Sequence, residues 1–257
     1  MEHSKKYIAQ HPHLPFLTGN NRSYLAVGYY PKEALEKFLP QAISIPSDTV
    51  MAEKYPTVMQ VDGMHPFMLQ FANCHNVHDL MSEYELRPYE EIQACFPATY
   101  THEGGEQQHC LFVQLMYLEY LLGVLGGMYF GLRKQFRPSM QVVETATSRS
   151  WVIPGIIDAG FEQTATESGT ELDPFFAQMF INPAVTLSYF NQYRFYKQRV
   201  YPKKVLDASP AYEWHYKDSV IKNNENTFAT YSEYHFSISQ VMKYGAYFLP
   251  ASAVGID

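Results

Sequence analysis

LFVQLMYLEYLLGVLGGMYFGLRKQ, residues 111–135, is a long apolar run that stops abruptly at the cationic pair Arg133-Lys134. Its reading decides the fold. From Cys110 to Leu132 the run is about long enough to span a bilayer. Glu119 lies in its middle, however, with Gln114 before it and four glycines from Gly123 onward. A carboxylate at mid-membrane costs on the order of several kcal/mol, and nothing else in the chain is membrane-adapted. No membrane partner is expected.

The soluble reading splits the run at Glu119. Leu111 to Leu118 is apolar except for Gln114, as a strand covered on both faces would be. Beyond Glu119, Leu121, Leu122, Leu125, Met128, Tyr129 and Leu132 recur at helical spacing, which predicts a short buried helix. Gly126-Gly127 would let its backbone pack closely against a neighbour, and the helix is expected to run out at Arg133-Lys134. A lysine delivered there would be partly stripped of water. Desolvation and a neighbouring cation both disfavour the ammonium form, which makes Lys134 a candidate amine nucleophile. The alternative is that Lys134 merely caps the helix C-terminus, where a cation suits the dipole. From this stretch alone the cap is the stronger reading.

Working outward, 257 residues can bury a sizeable core. The chain is 46% hydrophobic, with 21 Tyr and 17 Phe, so it is globular and not disordered. That aromatic content with 16 Pro and 14 Gly predicts many strands and turns. A net charge of −7 argues against a nucleic-acid partner. Cys74, Cys95 and Cys110 form no CxxC pair and leave one thiol over in any disulfide scheme, which fits a cytoplasmic location. The N-terminal residues lack a signal-peptide core.

Residues 1–21 read as a polar arm. Arg22 opens a short strand, Tyr24 to Tyr30, followed by PKEALEKFLPQ, a short amphipathic helix with Pro31 at N1, Ala34, Leu35 and Phe38 on one face, and a stop at Pro40. From Ile43 to Tyr100 the chain breaks every eight to twelve residues, the spacing of a β-sandwich or barrel. HEGGEQ, residues 102–107, is a hairpin turn, and Met140 to Thr147 and Ser150 to Ile157 are further strands. No linker or shift of composition marks a boundary, so residues 1–257 are expected to be a single α+β domain, mostly β.

Three blocks in order carry a resemblance. NRSYLAVGYYPKEALEKFLPQ (21–41), YEEIQACFPATY (89–100) and MYLE (116–119) with the lysine after it resemble the opening, the Y-x-E segment and the M-Y-L-D segment of acetoacetate decarboxylases. The resemblance implies a curved antiparallel sheet closing into a barrel-like cone with a few short helices. It also implies homo-oligomers, no cofactor, and imine catalysis on a small keto acid. Lys134 matches the Schiff-base lysine, Arg22 the arginine facing the substrate carboxylate, and Glu91 the active-site glutamate. An arginine fork suits a carboxylate bidentately, and a carboxylate beside an imine can relay protons. Met116 and Tyr129 are further candidate substrate contacts.

The sequence also departs from the pattern. Met128 and Tyr129 replace an Arg-Glu pair, Gln135 replaces a second lysine, and Arg133 replaces a proline. Arg133 either supplies the missing positive field or grips a second carboxylate. Placing Lys134 on the nucleophile's position needs a one-residue deletion, without which Gln135 falls there. Decarboxylation of an acetoacetate-like acid is therefore the leading expectation. Aldol or dehydratase chemistry by the same imine, and a non-catalytic carboxylate binder, are the alternatives. His75-Asn-Val-His78 lacks a metal-site partner motif, so no metal is expected. The aromatic and basic stretch 189–204 reads as an amphipathic strand.

Overall fold

A computed structural model of the chain describes residues 17–37, 39–58, 61–79, 84–129, 131–163, 171–187, 193–210, 215–216 and 238–251. It is mostly β, with a few short helices. The long strand β1 (Leu17–Pro31) runs into helix α1 (Lys32–Glu36), then β2 (Ile43–Ser44) and helix α2 (Asp48–Lys54). β3 (Met64–Asp79), β4 (Tyr84–Leu86), β5 (Tyr89–Thr101) and β6 (Gln107–Leu118) follow, then helix α3 (Leu121–Tyr129). After it come β7 (Lys134–Phe136), β8 (Gln141–Glu144), β9 (Ser148–Ile153), β10 (Ile157–Gln163) and helix α4 (Pro174–Ile181). The described chain closes with β11 (Ala184–Leu187), β12 (Tyr193–Pro210), β13 (His215–Tyr216) and β14 (Ile238–Ala251).

The pairing path is β11-β6-β5-β3-β1-β14-β12-β10-β9-β8, and β11 also bonds to β12. β6 has two parallel neighbours, β7 and β11, within an otherwise antiparallel order. Residues alternate between the two faces of a strand, and here both faces are dry. One carries Leu25, Val27, Met68, Ala72, Met116 and Leu118 and is covered by α2, α3 and α4 through Met51, Val124 and Phe175. The other carries Tyr24, Phe71, Ile92 and Tyr117, which pack against Trp151 of β9 and Phe161 of β10. Continuous apolar text in residues 111–118 follows from this double cover.

Two irregularities fit the sequence. Pro202 cannot donate to a ladder, and the β12–β14 register shifts between Pro202 and Lys204. In β5–β6, Ala94 faces Leu115 but Cys95 faces Val113, so Gln114 is the extra residue of a bulge. Its side chain is buried. The one polar residue in the apolar run therefore marks a break in pairing.

Several expectations are corrected. Residues 17–21 belong to β1, not to an arm, and residues 1–16 lie outside the described set. Pro31 is the N-cap of α1, not its first residue; Leu35 is buried there, while Phe38 falls outside the described residues. The expected strand from Ser150 to Ile157 is split by a turn after Ile153, where Gly155 takes a φ of 76°.

The largest correction concerns α3. Leu121, Leu122, Leu125 and Met128 are 38–51% exposed, so the large residues face outward. Gly123, Val124 and Gly127 face the sheet. The reason is room. A Cβ built on Gly127 would lie 2.3 Å from Lys134 Cδ and 2.5 Å from its Cε, so the helix can cross the lysine only on a bare backbone. The helix also ends at Tyr129, and Lys134 opens the strand β7. Lys134 is neither a helix cap nor the end of a helix. No helix among the described residues is long and apolar enough to cross a membrane.

Candidate active site

Register brings the lysine to its partner. Lys134 of β7 lies beside Met116 of β6, and Glu91 of β5 lies on the other side of β6, beside Leu118. Met116 and Leu118 are two apart and share a face, so Lys134 and Glu91 meet diagonally across β6. Lys134 Nζ donates to Glu91 Oε2 at 2.7 Å. Their side chains are 6% and 12% exposed. Two residues before Glu91, and so on the same face, the Tyr89 ring lies 6.0 Å from the ammonium. Cys74 of β3 pairs with Tyr89 across the β3–β5 ladder, and their side chains are hydrogen-bonded. Burial pushes both the Tyr89 phenol and the Cys74 thiol well above their ordinary values, and the nearby Glu91 carboxylate adds to each shift.

Taking two charges out of water costs several kcal/mol per ion, so such a pair persists only with good geometry. The arrangement has one chemical capacity that an exposed lysine lacks. A proton can pass from Nζ to Oε2 without leaving a net charge in the interior, and the amine that remains has a free lone pair. Gly127 lies over the aliphatic part of the side chain.

The opposite face holds a second polar cluster. Arg22, Asn73 and Glu90 stand opposite one another across β1, β3 and β5. Glu90 accepts from Asn73 Nδ2, Arg149 Nη2 and Trp151 Nε1, the last at 3.0 Å. Arg149 and Arg22 each donate to Glu144 of β8, and Arg22 Nη2 donates to the Tyr24 hydroxyl at 2.7 Å. Gln135 pairs with Tyr117 in the register, one residue on from Lys134, and accepts from Arg137 Nη2. Gln135 therefore turns to this second face.

Of the residues singled out in the sequence, Lys134, Glu91 and Met116 come together. Arg22 does not join them. Strand alternation places Ser23, Ala72 and Glu91 in one row and Arg22, Asn73 and Glu90 in the next, and adjacent rows point to opposite faces. Arg133 is buried next to the lysine, and its carbonyl accepts from Met116 N at 3.3 Å. The side chain of Tyr129 lies outside the described residues. Sequence reasoning missed Tyr89 and Cys74, whose β3–β5 pairing no local spacing announces. It also missed Glu90, Arg149, Trp151 and Glu144. The adjacent Glu90 and Glu91 look like a solvated turn, whereas each is drawn into a different interior face.

No protein-family model matches the chain, and no curated protein matches it in sequence. Solved structures do match in fold. Acetoacetate decarboxylase from Legionella pneumophila subsp. pneumophila str. Philadelphia 1 superposes with a TM-score of 0.64 at 11% identity, over 93% of this chain and 88% of that one. The enduracididine biosynthesis enzyme MppR complexed with pyruvate gives 0.58 at 12% identity, over 91% and 88%. The same enzyme complexed with the condensation product of pyruvate and imidazole 4-carboxaldehyde gives 0.58 at 11% identity, over 91% and 87%. The chain thus resembles the acetoacetate decarboxylase-like family in fold.

Proposed function

We propose that the chain is a Schiff-base enzyme in which Lys134 condenses with the ketone of a small β-keto or 2-oxo acid. The observation that carries this reading is the buried contact of 2.7 Å between Lys134 Nζ and Glu91 Oε2. Glu91 takes the ammonium proton and frees the amine lone pair. With a β-keto acid the amine attacks the carbonyl carbon, Glu91 returns its proton as water leaves, and the resulting iminium accepts the electron pair of the bond to the carboxylate as CO₂ departs. Solvent water then protonates the enamine carbon, and hydrolysis of the imine frees the ketone and the Lys134 amine. Met116 borders the amine, and Arg133 is the cation assigned to the substrate carboxylate in place of Arg22, which faces away.

Decarboxylation of an acetoacetate-like acid is the reaction to test first, and the fold shared with acetoacetate decarboxylase supports it. Condensation of a 2-oxo acid with an aldehyde is the second reading, favoured by the condensation product that MppR holds on the same fold. A single domain with no cofactor, working as a cytoplasmic homo-oligomer, completes the reading. Closure of the sheet into a cone is supported by β11, which is bonded to β6 on one edge and to β12 on the other.

Borohydride trapping tests the imine directly. Incubation with acetoacetate or pyruvate plus reductant should add one substrate-derived mass to the Lys134 peptide, and Lys134→Ala should abolish it. Gas release with acetoacetate, against a new condensation product with pyruvate and an aldehyde, separates the two reactions. A protein that binds either acid yet takes no label is a carboxylate binder and not an imine enzyme.

A further inference from the structure

Glu90 and Glu144 both receive Arg149, yet the protein holds them very differently. Glu90 is 11% exposed and pinned by three donors, Asn73 of β3 and Arg149 and Trp151 of β9. Glu144 is 43% exposed and lies at the end of β8, the last strand on its side of the pairing path, just before the exposed residues 145–147. Among the described residues its carboxylate is held by guanidinium groups alone. Arg22 Nη1 meets Oε1 and Arg149 Nη1 meets Oε2, each at 2.5 Å. The walls of this niche are built from within. Arg149 is 7% and Arg22 24% exposed, the Tyr24 hydroxyl braces Arg22, and the Trp151 ring lies 5.4 Å from the Arg149 guanidinium. Each arginine also keeps a buried Nε–H for which no acceptor stands among the described residues.

From this geometry we infer that Arg22 and Arg149 form a binding site for a small carboxylate, and that the chain's own Glu144 side chain fills it in the ligand-free protein. The chemistry is local. Two guanidinium groups converge on one carboxylate, and the group they hold is the most exposed member of the cluster. When Glu144 swings outward, Arg22, Arg149 and Glu90 together keep a net positive charge, which a small free carboxylate neutralises by accepting one hydrogen bond from each Nη1. A tethered carboxylate competes at millimolar effective concentration or above. The parent protein therefore binds a free one weakly, and removing the tether uncovers the intrinsic affinity. This site lies on the face of the sheet away from Lys134 and does not rest on the imine reading.

Acetate is the probe and Trp151 the reporter, in a Trp214→Phe background that leaves one of the two tryptophans. Acetate is titrated against chloride at constant ionic strength. Glu144→Gln should bind acetate at least tenfold more tightly than the parent, and adding Arg22→Gln should remove that gain. The double variant Lys134→Met/Glu91→Leu, which removes both charges of the buried pair, should leave it intact. Equal affinity in parent and Glu144→Gln overturns the inference, as does an equal response to chloride or loss of binding in Lys134→Met/Glu91→Leu. Should Glu144→Gln fail to fold, acetate-dependent thermal shifts of the parent and Arg22→Gln decide instead. A shift in the parent that vanishes in the variant supports the site, and identical shifts refute it. Borohydride labelling of Lys134 is read in parallel, so failure of one assignment leaves the other standing.

Discussion

The two faces of the sheet treat consecutive glutamates in opposite ways. Glu91 serves an ammonium beneath a helix, as one half of a buried ion pair with Lys134. Glu90 serves an amide, an indole and a guanidinium, as one node of a chain of charges that runs out to half-exposed Glu144. Both members of that pair are buried, so loss of either leaves the other charged in a dry interior. The chain of charges is graded, and its outer member can leave while Glu90 keeps its three donors. Reactivity suits the first arrangement and exchange of ligands suits the second.

The sharpest way to break this contrast is to remove one charge from the inner pair. Glu91→Gln should destabilise the fold by about 3–5 kcal/mol, the range for an uncompensated buried charge. The double variant Lys134→Met/Glu91→Leu should recover most of that in denaturant unfolding. Additive losses in the double variant would show that the two side chains are not coupled.

A second measurement probes the opposite face through pH. His65 is fully buried, its Nε2–H donates to the Pro97 carbonyl at 2.8 Å, and burial lowers its pKa to about 4. The folded protein then binds fewer protons than the unfolded chain between about pH 6.5 and 4, so stability falls as pH falls through that window and levels off below it. The loss should reach roughly 3 kcal/mol, at about 1.4 kcal/mol per pH unit. His65→Gln keeps a donor for Pro97 and should flatten the slope. Parallel stability profiles for parent and variant would mean that His65 already shares its proton with the core.

The smallest effect sharpens the geometry around the lysine. Gly127→Ala places a methyl where Lys134 Cδ and Cε now lie. It should cost about 1–3 kcal/mol, as overpacking does, and move the amine off Glu91. Gly126→Ala meets nothing within 4 Å and serves as the neutral control. Equal melting temperatures and equal borohydride labelling in the two alanine variants would remove Gly127 from the site.

Much of this was legible in the sequence, and the failures have physical causes. Residues 111–118 read correctly as a strand dry on both faces, because apolar continuity is a local property of the text. The existence of α3 was legible for the same reason. Its orientation was not, because periodicity counts large residues, and here close passage over a lysine selects small ones for the inner face. The pairing of Glu91 with Lys134 came through the family resemblance, and the register of β5, β6 and β7 realises it. The separation of Arg22 from that pair was out of reach. It depends on which residue of β1 faces which residue of β3, and a slip of one residue reverses every such assignment.

That sensitivity gives the bulge at Gln114 its meaning. In β6, Leu111 and Val113 share a core with Met116 and Leu118, although the step in position from Val113 to Met116 is odd. Gln114 is the extra beat that brings the two halves of the strand back into phase. Shorten β6 by that beat and either its first half or its second must turn inside out. The lysine, which rides on the second half through β7, would then be carried to the far side of the wall. The lone amide in a greasy stretch thus sets the parity on which the location of the chemistry depends.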